Sequence, residues 1–126
     1  MTAVRTAARV PAMSEAELLA AVRQLARLTG WLVYHTHDSR RSEPGFPDLA
    51  LANHRQGRVI FAELKTATGR ITAKQEEWLA ALASAGCETA LWRPADLPDI
   101  ARVLRKAAAR PAASLDPSMP RREKCP

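Results

Sequence analysis

The run at residues 58–65 constrains the fold more than any other part of this sequence. It reads RVIFAELK, with consecutive apolar residues before a charged end. Apolar residues on both faces of a strand are typical of a central strand that is covered on both sides. Side chains two positions apart on a strand project to the same face. Glu63 and Lys65 therefore share one face, and Leu64 points to the other.

The charges that end this strand need an explanation, because burying them without partners is costly. Glu63 and Lys65 could form a structural ion pair, mark where the strand emerges into solvent, or belong to a functional site. A second acid favours a site: Asp48 follows a turn rich in Pro and Gly and opens the apolar run at residues 48–52. If that run pairs with the 58–65 strand, two carboxylates and an ammonium group converge. Such a group suits a divalent metal ion and a phosphodiester.

Capping signals predict where three helices begin. Ser14 and Glu17 have the spacing of a capping box, in front of apolar residues that repeat at helical intervals. Thr72 and Gln75 repeat that pattern for a second helix. Pro94 is expected to open the last helix, because proline is favoured in the first helical turn.

The segments between the helices predict four strands. Residues 31–36 are β-branched and aromatic, and residues 87–92 form a further apolar run. Together with the runs at 48–52 and 58–65, they give the element order α-β-β-β-α-β-α. Short turns followed by one helical crossover imply a mixed four-stranded sheet with helices on both faces, which is an α/β fold.

Length and charge indicate one domain with two tails. The chain has 126 residues, and we expect its domain to span residues 14–106. A leader at 1–13 and an Ala/Pro/Arg-rich tail at 107–126 are expected to be disordered. Each carries a net charge of +2 out of the total of +6, so the total is weak support for a basic binding face.

No run reaches the roughly 18–20 apolar residues of a membrane span, and the two cysteines require no oxidising compartment, so we expect an intracellular protein.

Three basic residues near the proposed site are candidate contacts to nucleic acid. Arg40 and Arg41 lie in the polar loop directly before Asp48, and a guanidinium group suits bidentate contact with phosphate. Lys74 lies beside Gln75 at the start of the second helix. The alternative for all three is an ordinary solvated side chain.

A set of short motifs extends across residues 14–105: Tyr34-His35, Asp38-Ser39-Arg40, Gly45-Phe46-Pro47-Asp48-Leu49, Glu63-Leu64-Lys65, Thr72-x-x-Gln75-x-x-Trp78 and Trp92-Arg93-Pro94. This set resembles the VRR-NUC domain family of the PD-(D/E)xK nuclease superfamily. The resemblance implies a restriction-endonuclease-like fold and Mg²⁺-dependent hydrolysis of DNA phosphodiester bonds, with Mn²⁺ as an alternative ion. It further implies a homodimer of phage or prophage type that acts on structured DNA, including Holliday junctions, in replication or repair.

The resemblance also implies roles for individual residues. Asp48 and Glu63 would hold the metal ion, with the backbone carbonyl of Leu64 as a further ligand. Lys65 would orient or help to deprotonate the attacking water and would stabilise the pentacoordinate phosphate. Gln75 would support the site from the second helix.

The resemblance also implies one acid from the first helix. At about 100° per residue, Glu15 falls near the centre of the apolar face, whereas Glu17 points away from it. Glu17 has a sufficient role in the capping box, and an acid at Glu15 is favoured by the helix dipole whatever its direction. Glu15 is therefore the better candidate for the site, and Glu17 is the alternative.

These observations predict a small Mg²⁺-dependent DNA endonuclease. One alternative is a nucleic-acid-binding module that kept the fold without the activity, and the intact set of Asp48, Glu63 and Lys65 argues against it. Another is a nuclease subunit that a helicase or replication partner brings to its substrate.

Overall fold

The structure is a computed structural model that describes residues 12–36 and 43–106. Its elements follow the predicted order: α1 (Glu15–Leu28), β1 (Leu32–His35), β2 (Leu49–Asn53), β3 (Arg58–Leu64), α2 (Ala73–Ser84), β4 (Glu88–Trp92) and α3 (Leu97–Arg105). A 3-10 turn at Pro94–Asp96 precedes α3, so the last helix begins later than Pro94. The predicted tail lies outside the described residues, and so does the predicted leader apart from residues 12 and 13.

Both predicted capping boxes are present. The Ser14 hydroxyl accepts a hydrogen bond from the Glu17 amide at 3.1 Å, and the Glu17 carboxylate accepts one from the Ser14 amide at 2.9 Å. Thr72 and Gln75 make the same reciprocal pair at the start of α2. Each box satisfies two amides that have no partner within the helix, which fixes where both helices start.

The four strands form one mixed sheet in the order β1-β2-β3-β4. The β1–β2 and β2–β3 pairs are antiparallel, and β3–β4 is parallel because α2 carries the chain back between them. β3 is paired on both sides, as its apolar sequence predicted.

Helices pack on both faces of this sheet. The main core lies between the sheet and the helices α1 and α3, and it includes Leu18, Val22, Leu49, Leu51, Ile60, Leu64, Ile100 and Leu104. On the opposite face, the Phe46 ring packs edge-on against Phe61 and Trp78, with centroid distances of 5.9 and 5.0 Å. α2 lies on this second face and buries no side chain completely.

The C-terminal end of α3 is attached to the sheet by polar contacts. The Trp31 indole donates a 2.9 Å hydrogen bond to the Leu104 carbonyl, and the Gln56 amide donates to the same oxygen at 3.1 Å. Arg58 donates to the Val103 carbonyl at 2.9 Å. These donors occupy carbonyls that the last helical turn leaves without partners. No helix within residues 12–36 and 43–106 has the length and apolar character of a membrane span.

Candidate active site

The strand register brings Asp48 and Glu63 together. Leu49 pairs with Ala62 across β2 and β3, so the next position outward places Asp48 opposite Glu63. Alternation along the strands puts both acids on the face that carries α2. The Asp48 carboxylate also accepts a 2.9 Å hydrogen bond from the backbone amide of Leu64. The convergence that the sequence predicted is therefore present.

Glu63 is the centre of this group. It is 2% exposed and is one of two buried polar residues in the described part of the chain. Its Oε2 atom accepts a 2.9 Å hydrogen bond from Gln75 Nε2 and lies 3.6 Å from Lys65 Nζ. Its Oε1 atom is buried with no hydrogen-bond partner. A carboxylate buried in this way carries an unmet demand for a donor or a cation.

Burial changes the protonation of Glu63. The pKa of the Glu63 carboxyl is raised from 4.5 to about 7, mainly by burial. The neighbouring charge of Asp48 contributes to this rise, and the Lys65 ammonium group partly opposes it. Among the described residues, two carboxylates share the site with one ammonium group, so the local charge there favours a proton or another cation.

The donor set fits a hard divalent cation. Asp48 and Glu63 supply carboxylate oxygens, and the unpartnered Oε1 of Glu63 is an oxygen that a cation would satisfy. Within the described residues no group of three or more His, Cys, Asp or Glu side chains could hold a metal ion. Mg²⁺ is commonly bound through one or two carboxylates together with water and substrate phosphates. Two acids are therefore enough for that ion.

Gln75 uses both ends of its side-chain amide. Its Oε1 accepts the Thr72 amide proton at 2.9 Å in the capping box, while its Nε2 donates to Glu63. The sequence predicted the cap and a supporting position, and the structure combines the two in one side chain. The start of α2 is thereby fixed relative to the buried carboxylate.

The first-helix acids do not join this group. Glu15 is exposed, and the described residues contain no set of three acids that would combine it with Asp48 and Glu63. Leu18 is the first buried residue of α1, so Glu15 stays exposed although its helical angle matches the apolar face. Glu17 is exposed and is held by the capping box with Ser14. Participation of either acid stays a prediction.

Of the three basic residues predicted to contact phosphate, the structure describes only Lys74. Lys74 is exposed, and its ammonium group lies 3.3 Å from the Glu77 carboxylate. That arrangement matches a solvated lysine, and a phosphate contact by Lys74 stays a prediction. Arg40 and Arg41 lie outside the described residues.

Arg93 was named from the sequence only as part of the Trp92-Arg93-Pro94 motif, without a role at the site. Arg93 donates from Nη1 to the carbonyls of Thr66 and Gly69, at 2.7 and 2.8 Å. Both carbonyls belong to the turn that follows Lys65. The position of Arg93 just after β4 could have indicated that it lies near Lys65, which follows β3. Parallel strands end at the same edge of a sheet.

A mixed α/β sheet with an Asp on one strand and Glu-x-Lys on its neighbour is the arrangement of the PD-(D/E)xK nuclease superfamily. Within it, the chain belongs to the VRR-NUC domain family, whose model matches residues 4–96. VRR-NUC domains are nuclease domains, which makes this protein a member of a hydrolase family whose substrate is DNA.

Two solved structures share the fold. A chain described as "VRR_NUC domain" aligns with a TM-score of 0.61 and 18% identity, over 75% of this chain and 97% of its own. A second, described as "VRR_NUC domain protein", aligns with a TM-score of 0.57 and 16% identity, over 76% of this chain and 88% of its own. No curated protein matches the chain.

Proposed function

We propose that this protein is a Mg²⁺-dependent DNA endonuclease whose active site is formed by Asp48, Glu63 and Lys65, with Gln75 in support. The observation that carries this proposal is the buried Glu63 carboxylate, which has one unpartnered oxygen and lies beside Asp48 and Lys65. A purely structural Glu–Lys pair would not account for a second acid or for the unsatisfied oxygen. A cation between the two acids would account for both.

Asp48 and Glu63 would hold the metal ion, together with the backbone carbonyl of Leu64. When bound, Mg²⁺ supplies Lewis-acid activation of the phosphodiester and of the attacking water, and Mn²⁺ is an alternative. Lys65 places a positive charge 3.6 Å from Glu63, where it can orient that water and stabilise negative charge on the phosphate. Gln75 holds the Glu63 carboxylate in one orientation by its hydrogen bond.

We extend this proposal to branched DNA, such as Holliday junctions, in replication or repair. The support is the resemblance of the motifs to stand-alone VRR-NUC proteins of phage type. The described residues contain one such catalytic set, so a homodimer would provide one set for each strand of a duplex. If the protein instead works as a subunit of a larger assembly, we propose that a helicase or replication partner brings it to the DNA.

The test is a cleavage assay on labelled duplex, flap and four-way-junction DNA, with Mg²⁺, Mn²⁺ or EDTA. Asp48→Asn and Lys65→Met should each abolish cleavage, and Glu77→Gln, which alters an exposed acid on α2, should not. DNA binding by the wild type with no cleavage of any substrate would instead identify a non-catalytic binding module. Cleavage that survives Lys65→Met would contradict the role of the lysine.

A further inference from the structure

The turn between β3 and α2 forms a shallow cleft with the residue that follows β4. Its volume is about 450 Å³, and its lining residues are Ala67, Thr68, Gly69, Arg70, Ile71 and Arg93. The cleft lies where the parallel strands β3 and β4 end, since the Lys65 amide donates to the Trp92 carbonyl at 3.0 Å. This edge of a sheet is where ligands commonly bind in α/β proteins.

The cleft adjoins the candidate active site. A Cβ atom on Gly69 would lie 3.5 Å from Lys65 Cδ and 3.0 Å from the Thr66 hydroxyl. The Gly69 wall of the cleft therefore lies beside the stem of the proposed catalytic lysine. A strand of DNA whose phosphate reaches Lys65 would continue past this turn.

Arg93 is held by two hydrogen bonds to backbone carbonyls, and its charge has no ion-pair partner in the described part of the chain. Its Nη1 atom donates to two backbone carbonyls, which are neutral groups. The nearby Asp96 carboxylate accepts the backbone amide of Arg93 at 2.8 Å and forms no salt bridge with the guanidinium. Charged groups that are partly buried are usually paired. A half-buried guanidinium held by neutral acceptors is thus arranged to receive an anion.

Arg70 adds a second positive charge to the same cleft. It is exposed, and it forms no ion pair within residues 12–36 and 43–106. Guanidinium groups present several donors that match the geometry of phosphate oxygens. The turn after β3 needs only one guanidinium group, because Arg93 alone donates to the carbonyls of Thr66 and Gly69. The second guanidinium group, that of Arg70, is not needed to hold the turn.

We propose that Arg93 and Arg70 form a subsite for a DNA backbone phosphate that neighbours the phosphate being cut. This inference rests on the proposed function, because it takes the DNA strand at Lys65 as its starting point. The ligand class is a phosphodiester of the bound strand, and the contact is electrostatic and independent of base sequence.

The test is the salt dependence of DNA binding, measured by fluorescence anisotropy in EDTA so that no cleavage occurs. Neutralising one phosphate contact should reduce the slope of log K against log [salt] by about 1. Arg70→Gln is expected to produce this change. Arg55→Gln is the matched control, because Arg55 is an exposed arginine in the β2–β3 turn at the opposite end of the sheet. Equal slopes for both variants and the wild type would overturn the subsite.

Arg93→Gln should lower the slope in the same way and should raise KM more than it lowers kcat. If Arg93 only positioned the turn, its replacement would lower kcat and leave the slope unchanged, which contradicts the proposal. If the Arg93→Gln variant does not fold, the salt dependence measured for Arg70→Gln alone tests the subsite. Failure of the proposed function gives a different result, since the wild type would then not cleave with Mg²⁺ whatever the slopes are.

Discussion

Gln75 Nε2 donates a 2.9 Å hydrogen bond to Glu63 Oε2, and the other end of the same amide caps α2. A glutamate at this position would cap the helix equally well, because capping requires only an acceptor. Only the amide can cap the helix and donate to a buried carboxylate at the same time. The hydrogen bond to Glu63 therefore requires the glutamine amide, whereas the cap does not.

Gln75→Glu should separate these two functions. It keeps the cap acceptor, loses the donor to Glu63 and adds a negative charge beside it. We expect a loss of about 1–3 kcal/mol in the free energy of unfolding at pH 8 in EDTA, as for an unpaired buried group. Urea denaturation measures this loss, and Mg²⁺ should restore part of it. Thr72→Ala, which weakens the cap, should cost about 1 kcal/mol whether or not Mg²⁺ is present.

The stability of the metal-free protein should depend on the protonation of Glu63. The pKa of this carboxyl is raised from 4.5 to about 7 in the folded state, mainly by burial. The folded state therefore favours the protonated form, and its stability falls as pH rises from about 4.5 to about 7. The loss from this group is at most about 3.5 kcal/mol, since one pKa unit corresponds to about 1.4 kcal/mol.

Glu63→Gln removes that ionisation and should be more stable than the wild type at pH 8 in EDTA. The difference between the two proteins should disappear near pH 4, where the wild-type carboxyl is protonated in both states. Urea denaturation across this pH range gives the comparison. Mg²⁺ should stabilise the wild type and leave Glu63→Gln little changed. Parallel stability curves for the two proteins would contradict the raised pKa.

Much of the fold and the centre of the site follow from local rules. The alternation of side chains put Glu63 and Lys65 on one face, and the capping boxes fixed the starts of α1 and α2. The mixed sheet followed from the order of elements, and β3 is central because its apolar run needs cover on both sides. Apart from the sheet, which follows from the order of the elements, these inferences depend on residues that are close together in the sequence.

The parts that could not be predicted depend on contacts between distant segments. The helical angle gave Glu15 a direction, but it could not show that this side chain stays exposed while Leu18, three residues later, is buried. Arg93 reaches the carbonyls of Thr66 and Gly69 across more than twenty residues of sequence. No local pattern indicates such a contact, because the carbonyls that receive it have no sequence signature.

The loop that leads into Asp48 should tolerate no side chain at Gly45. This glycine has φ +90°, and an added Cβ would lie 2.6 Å from backbone atoms of Lys74. Gly86 has φ +96° with nothing within 4 Å, so it shares the strained conformation without the clash. Gly86→Ala should cost about 1–2 kcal/mol, and Gly45→Ala should cost about 1–3 kcal/mol more. Urea denaturation compares them, and equal losses would show that the loop moves away from α2 at no cost.

The helix α3 should be required for folding although it lies beyond residue 96, where the family match ends. Ile100 and Leu104 are completely buried against α1 and the sheet, and Leu104 also accepts the hydrogen bond from Trp31. Ile100→Ala should therefore cost about 2–5 kcal/mol, and the half-buried Val103→Ala clearly less. A chain that ends at residue 96 exposes the matching core surface and should lose its cooperative transition in urea. If that shorter chain unfolded cooperatively at the wild-type midpoint, α1 and the sheet would form a sufficient core by themselves.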